Sequence, residues 1–159
     1  MRKMTRAMTL AGAAITLFAV SAAPANAGNW QNVRLENVWS FRCLGVGSAS
    51  GDGAPALQWT CNDATDEKWT IAENSAGYHT IKNKFSGKCL GVGSSGANSA
   101  HVIQWTCNGS SDQQWFLKSS EIQNRYSGKC IGVGASTANG ANAIQYTCGT
   151  GNDQLWGIS

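Results

Sequence analysis

One pattern occurs three times in this chain: Cys-Leu/Ile-Gly-Val-Gly, then Gln-aromatic-Thr-Cys, then Asp-x-x-Trp. The copies open at Cys43, Cys89 and Cys130, reach second cysteines at Cys61, Cys107 and Cys148, and close on Trp69, Trp115 and Trp156. Every landmark moves by 46 residues from the first copy to the second and by 41 from the second to the third. Spacing inside a copy is constant, with 18 residues between cysteines and 8 from cysteine to tryptophan. A period of this size marks a repeat architecture in which one copy is too small to bury a core alone. Whatever the chain binds, it carries up to three versions of the site.

Residues 1–27 read as a secretory signal peptide. Arg2, Lys3 and Arg6 form a basic start, the apolar run Leu10 to Val20 is too short to span a bilayer, and Ala25-Asn26-Ala27 is a small-x-small cleavage signal. Between 28 and 159, 9 Lys and Arg balance 9 Asp and Glu, so the formal +3 belongs to the leader. A neutral mature chain lacks the basic face that nucleic acid or an anionic membrane requires. The expected product is secreted and monomeric, without membrane insertion, and its partner is neutral. Its length suits one domain, 28–159, with repeats at about 33–71, 78–117 and 120–158.

All 6 cysteines lie in the repeats. In a secreted protein an even count at fixed spacing means disulfides, and repetition selects one pairing: Cys43–Cys61, Cys89–Cys107 and Cys130–Cys148. Each loop of this size contributes about 3 kcal/mol in the chain-entropy view. Zinc is disfavoured by the wide spacing and the lack of any Cys-x-x-Cys, and no cofactor is expected.

The third copy reads as four short strands: Ile122 to Tyr126, Cys130 to Val133, Ala143 to Cys148 and Asp153 to Ile158. Between the second and third lies a small-residue loop that turns at Asn139-Gly140. Three such copies give about twelve strands and an all-β fold. Around a threefold axis, each copy would give two strands to a closed barrel and two to a hairpin capping one end, leaving no exposed edge.

Asn-x-x-Ser-Gly-Lys-Cys-Leu-Gly-Val, Gln-Trp-Thr-Cys-Asn-Gly and the closing Gln113-Gln114-Trp115 and Gln154-Leu155-Trp156 resemble the ricin B-type β-trefoil lectin family. The first copy carries Glu67-Lys68-Trp69 at the signature. The resemblance implies a β-trefoil with three four-stranded repeats about a pseudo-threefold axis. It also implies a non-catalytic protein that binds a glycan or polysaccharide. Carried over by position, the third-strand glutamine and the polar pair before the closing tryptophan line a sugar pocket. These are Gln145, Asp153 and Gln154, then Gln104, Asp112 and Gln113, and in the first copy Gln58 and Asp66.

Two positions depart from the galactose-binding pattern. Gly45, Gly91 and Gly132 occupy the slot of an aspartate, and the aromatic follows the glutamine directly. Strand alternation then puts Gln58 and Trp59 on opposite faces; with the glutamine facing ligand, Trp59, Trp105 and Tyr146 read as core. Trp69, Trp115 and Trp156 also read as core. Asp66, Asp112 and Asp153 suit either ligand contact or a backbone anchor. Asp52, Asn98 and Asn139 suit local turns, and His101 reads as surface. Two acids beside each other occur only in the first copy, and no Ser/His/Asp or Cys/His set is present. The expectation is a shallow site or a different neutral glycan; the alternatives are a protein-binding trefoil or one whose sugar sites have decayed.

Overall fold

The computed structural model describes residues 29–159; the expected signal peptide, 1–27, lies outside them. Strands β1 (Trp30–Val33), β2 (Leu35–Asn37), β3 (Arg42–Gly45), β4 (Leu57–Thr60) and β5 (Trp69–Glu73) come first. Then come β6 (His79–Asn83), β7 (Cys89–Gly91), β8 (Ile103–Trp105) and β9 (Trp115–Lys118). The last copy supplies β10 (Glu121–Asn124), β11 (Cys130–Gly132), β12 (Ile144–Tyr146) and β13 (Trp156–Ile158). Strands β2 to β13 fall four to a copy. The strand not foreseen is β1, which pairs antiparallel with β5 through Trp30–Ile71 and Val33–Trp69.

The hairpins β5/β6, β9/β10 and β13/β2 make the barrel wall. They are joined by Val33–Trp69, His79–Trp115 and the bridge Glu121–Leu155, so the ring closes. The second hairpin of each copy, β3/β4, β7/β8 or β11/β12, covers one end. The molecule is a β-trefoil.

Its axis is visible in the backbone. Ala56 N–H donates to the Val102 carbonyl, Val102 to Ala143, and Ala143 back to Ala56, each at 2.9 Å. Repeated side chains stack in tiers about this ring. Trp69, Trp115 and Trp156 are buried, with indole N–H groups donating to the carbonyls of Leu44, Leu90 and Ile131 at 2.8, 2.9 and 3.0 Å. An indole buried with its donor satisfied combines a large apolar area with no stranded polar group. Leu35, Ile81 and Ile122 form the matching tier from the barrel strands.

The disulfides are Cys43–Cys61, Cys89–Cys107 and Cys130–Cys148. Each ties the first strand of a capping hairpin to the residues beyond its second.

Neighbouring copies are fastened by polar side chains. Buried Asn37, Asn83 and Asn124 donate at 2.8 Å to the carbonyls of Asp153, Asp66 and Asp112 in the preceding copy around the ring. Asp52, Asn98 and Asn139 do more than shape local turns: they accept the N–H of Thr106, Thr147 and Thr60 in a neighbouring copy, at 2.7, 3.0 and 2.8 Å. Lys88 adds an ion pair to Asp52 at 2.8 Å and holds its carboxyl below the usual carboxylate range.

Candidate functional site

The polar pair before each closing tryptophan does not lie on the strand where the sequence suggested it. It sits on a one-turn 3-10 segment, Thr65–Glu67, Ser111–Gln113 or Asn152–Gln154. That turn folds back over Gly45, Gly91 or Gly132. A Cβ at Gly132 would lie 3.0 Å from Gln154 Cγ and 3.3 Å from the Asp153 carbonyl; the other two glycines are equally confined. Glycine suits this position because the turn approaches the strand so closely that a Cβ would have to push it away by a few tenths of an ångström. The carboxylate of Asp66, Asp112 or Asp153 stands over the glycine, with Oδ2 at 3.6, 3.5 and 3.3 Å from that same point. An acid missing from the strand is thus replaced in space by one from the turn.

Opposite lies a tight turn with two consecutive positive φ values, Gly47-Ser48, Gly93-Ser94 and Gly134-Ala135. This is the backbone of a type I′ turn. Ser48 and Ala135 donate their N–H to Asp66 Oδ2 and Asp153 Oδ2, both at 3.3 Å.

Each copy therefore encloses a concave cavity of one design. In the third copy it measures about 600 Å³ and is lined by Gly132, Ala135, Tyr146, Gly151, Asp153 and Gln154, among others. The first-copy cavity, about 360 Å³, has Trp59, Asn62 and Asp66. The second, about 240 Å³, has Trp105, Asn108, Ser110 and Asp112. The second cavity has Ser110, whose hydroxyl donates to Asp112 Oδ1, where the third has Gly151.

The wall aromatics are exposed, Trp59 by 46%, Trp105 by 44% and Tyr146 by 48%, so they are not core. Strand alternation holds, but its phase is opposite to that expected. Gln58, Gln104 and Gln145 are fully buried. Gln58 Nε2 donates to the carbonyls of Ser136 and Ala138 at 2.8 and 3.1 Å, and its Oε1 accepts Ser40 Oγ at 2.6 Å. Gln145 repeats this with Ser95, Ala97 and Ser127, and Gln104 donates to Ala49 at 2.7 Å. These glutamines face the loop of the preceding copy around the ring rather than a cavity. Gln113 and Gln154 are also buried; they touch the cavity but use both amide ends to pin the loop before the 3-10 turn. The structure brings Asp66, Asp112 and Asp153 into the cavities, each with the aromatic that the sequence reading placed in the core.

Glutamine recurs unchanged in all three copies while its neighbour varies between Trp and Tyr, but invariance alone does not mark the core, since Asp66, Asp112 and Asp153 recur unchanged and line the cavities.

A family model for the ricin-type β-trefoil lectin domain-like proteins matches residues 18–105, 68–146 and 113–159. The chain belongs to this family. Among solved structures, the ricin-type fold here is similar to the designed threefold-symmetric protein ThreeFoil, with a TM-score of 0.75 and 32% identity over 79% of this chain and 96% of that one. It is also similar to an exo-β-1,3-galactanase from Clostridium thermocellum, with a TM-score of 0.75 and 29% identity over 80% of this chain but only 30% of that enzyme. A ricin B-like lectin from Macrolepiota procera, solved in complex with lactose, aligns with a TM-score of 0.69 and 14% identity over 80% of this chain and 94% of that one. No match is found among curated proteins.

Proposed function

We propose that this ricin-type trefoil is a secreted, non-catalytic carbohydrate-binding protein with one site per repeat. The observation that carries this is the threefold recurrence of a single cavity design, an exposed aromatic face beside an aspartate. A neutral sugar offers an apolar ring face and a fixed set of hydroxyls, and it needs a flat platform with oriented acceptors nearby. Tyr146 supplies the platform in the third site and Asp153 the acceptor: its Oδ1 accepts no protein hydrogen bond among the described residues. Lactose in the Macrolepiota procera lectin, and GalNAc in an earthworm R-type lectin of the same fold, support the ligand class.

Asp112 and Asp153 each stand as the single acid of their cavity linings. Glycoside hydrolysis uses two carboxylates about 5–10 Å apart, which favours a binding role. The three intra-repeat disulfides suit an oxidising, extracellular setting. Three weak sites on one polymer combine by avidity.

The test is retention on immobilised neutral polysaccharides, followed by elution with free sugar. Tyr146→Ala should weaken binding about threefold to tenfold with the melting temperature preserved. Capture of proteins that free sugar does not displace would favour a protein-binding trefoil instead.

A further inference from the structure

We infer that the third-repeat site is extended by Trp39 of the first repeat into a second subsite, so that it binds a chain of two or more sugars in preference to a single one. This rests on the carbohydrate reading above.

Trp39, Phe85 and Tyr126 occupy one slot, two residues after the buried asparagine of each copy, and all three are exposed. The Asn37 side chain brings its copy against the third-repeat 3-10 turn by donating to the Asp153 carbonyl. Its Oδ1 accepts the Trp39 N–H at 3.1 Å and so sets where that residue begins. The indole Nε1–H then donates to the Ala135 carbonyl at 3.0 Å. Ala135 lines the third cavity and donates its own N–H to Asp153 Oδ2. Trp39 is therefore one residue removed from the cavity wall, yet 48% of its surface is open.

The third site differs from its sisters in this respect. Among the described residues, neither Phe85 nor Tyr126 is held to a neighbouring turn by a ring hydrogen bond. A solvent-facing tryptophan fixed by its N–H is a platform that loses little freedom when something stacks on it. The third cavity is also the roomiest of the three, with Gly151 in its lining. One ring against Tyr146 and the next against Trp39 is the arrangement these positions suit.

The experiment titrates two ladders by calorimetry, galactose with β-1,3-galactobiose and -triose, and xylose with xylobiose and xylotriose. Wild-type protein should tighten with chain length on at least one ladder. Trp39→Ala should flatten that ladder to the monosaccharide value, a loss of about threefold to tenfold for the longer sugars. Trp39→Phe keeps the ring and should retain most of the gain. Tyr146→Ala should weaken every length. A flat wild-type ladder, an unchanged ladder in Trp39→Ala, or an equal loss for the monosaccharide would overturn the inference while leaving the carbohydrate reading intact. Failure to bind any sugar would remove both.

Discussion

Glu67 stands where Gln113 and Gln154 stand in the other repeats, and it is as buried as they are. Their amides donate to the carbonyls of Thr106 and Thr147, at 3.0 and 3.2 Å. A carboxylate has no such donor. Asn62 gives its N–H to Glu67 Oε2 at 2.8 Å, as Asn108 and Gly149 do to the two glutamines, and adds its side-chain amide to Oε1 at 3.3 Å. Burial pushes the Glu67 carboxyl above its ordinary 4.5; the Asn62 N–H opposes the rise, Asp66 adds to it, and Arg34 and Lys68 oppose it. The folded protein thus holds this proton more tightly than the unfolded chain does. The contribution to stability is complete below the ordinary value and declines as pH rises through the raised one. Glu67→Gln should remove that decline and add about 1 kcal/mol at neutral pH by restoring the donor toward Thr60. Thermal melts of both proteins from acid to neutral pH will show whether the curves diverge.

Gln58 shows what could be read from the sequence at this scale and what could not. That it and Trp59 face opposite ways follows from strand geometry. Which one faces inward depends on partners far along the chain, Ser136 and Ala138, that satisfy a buried amide. Polarity alone pointed the wrong way. Gln58→Ala should lower stability by about 1–3 kcal/mol, seen in urea unfolding, and leave sugar affinity at the second site unchanged.

Among the elements, the capping hairpins carry both the staples and the sites. The disulfide pattern was legible because a fixed interval repeated three times admits one economical pairing. The 3-10 turns were not, because three residues leave no periodic signature. Their presence moves Asp66, Asp112 and Asp153 from a strand face to a position above a glycine. Gly132→Ala should therefore force the turn outward, destabilise by about 1–3 kcal/mol and weaken the third site together. Measuring the two effects on one variant tests whether turn and site are coupled. Each loop closed by a disulfide adds about 3 kcal/mol. Reduction should accordingly lower the melting temperature, and peptide mapping of the oxidised protein should recover only bonds within a copy.

For the molecule as a whole, the sequence period predicted the closed threefold barrel, since only mutual packing buries copies this small. It did not announce β1, whose first three residues lie before the first copy. Nor did it show that the copies are fastened side by side through Asn37, Asn83 and Asn124. If the sites act together, removing Trp59, Trp105 and Tyr146 one after another should release the protein from a polysaccharide column in steps steeper than the loss at each site. Elution of single, double and triple alanine variants with a sugar gradient will show the slope.

The ring through Ala56, Val102 and Ala143 makes completeness a property of the number three. A chain shortened to two copies would present one orphaned donor and one orphaned acceptor in the dry centre. A lone copy would present the same pair, but three identical strangers could satisfy one another. A peptide cut to one repeat should therefore either stay unfolded or gather as a trimer.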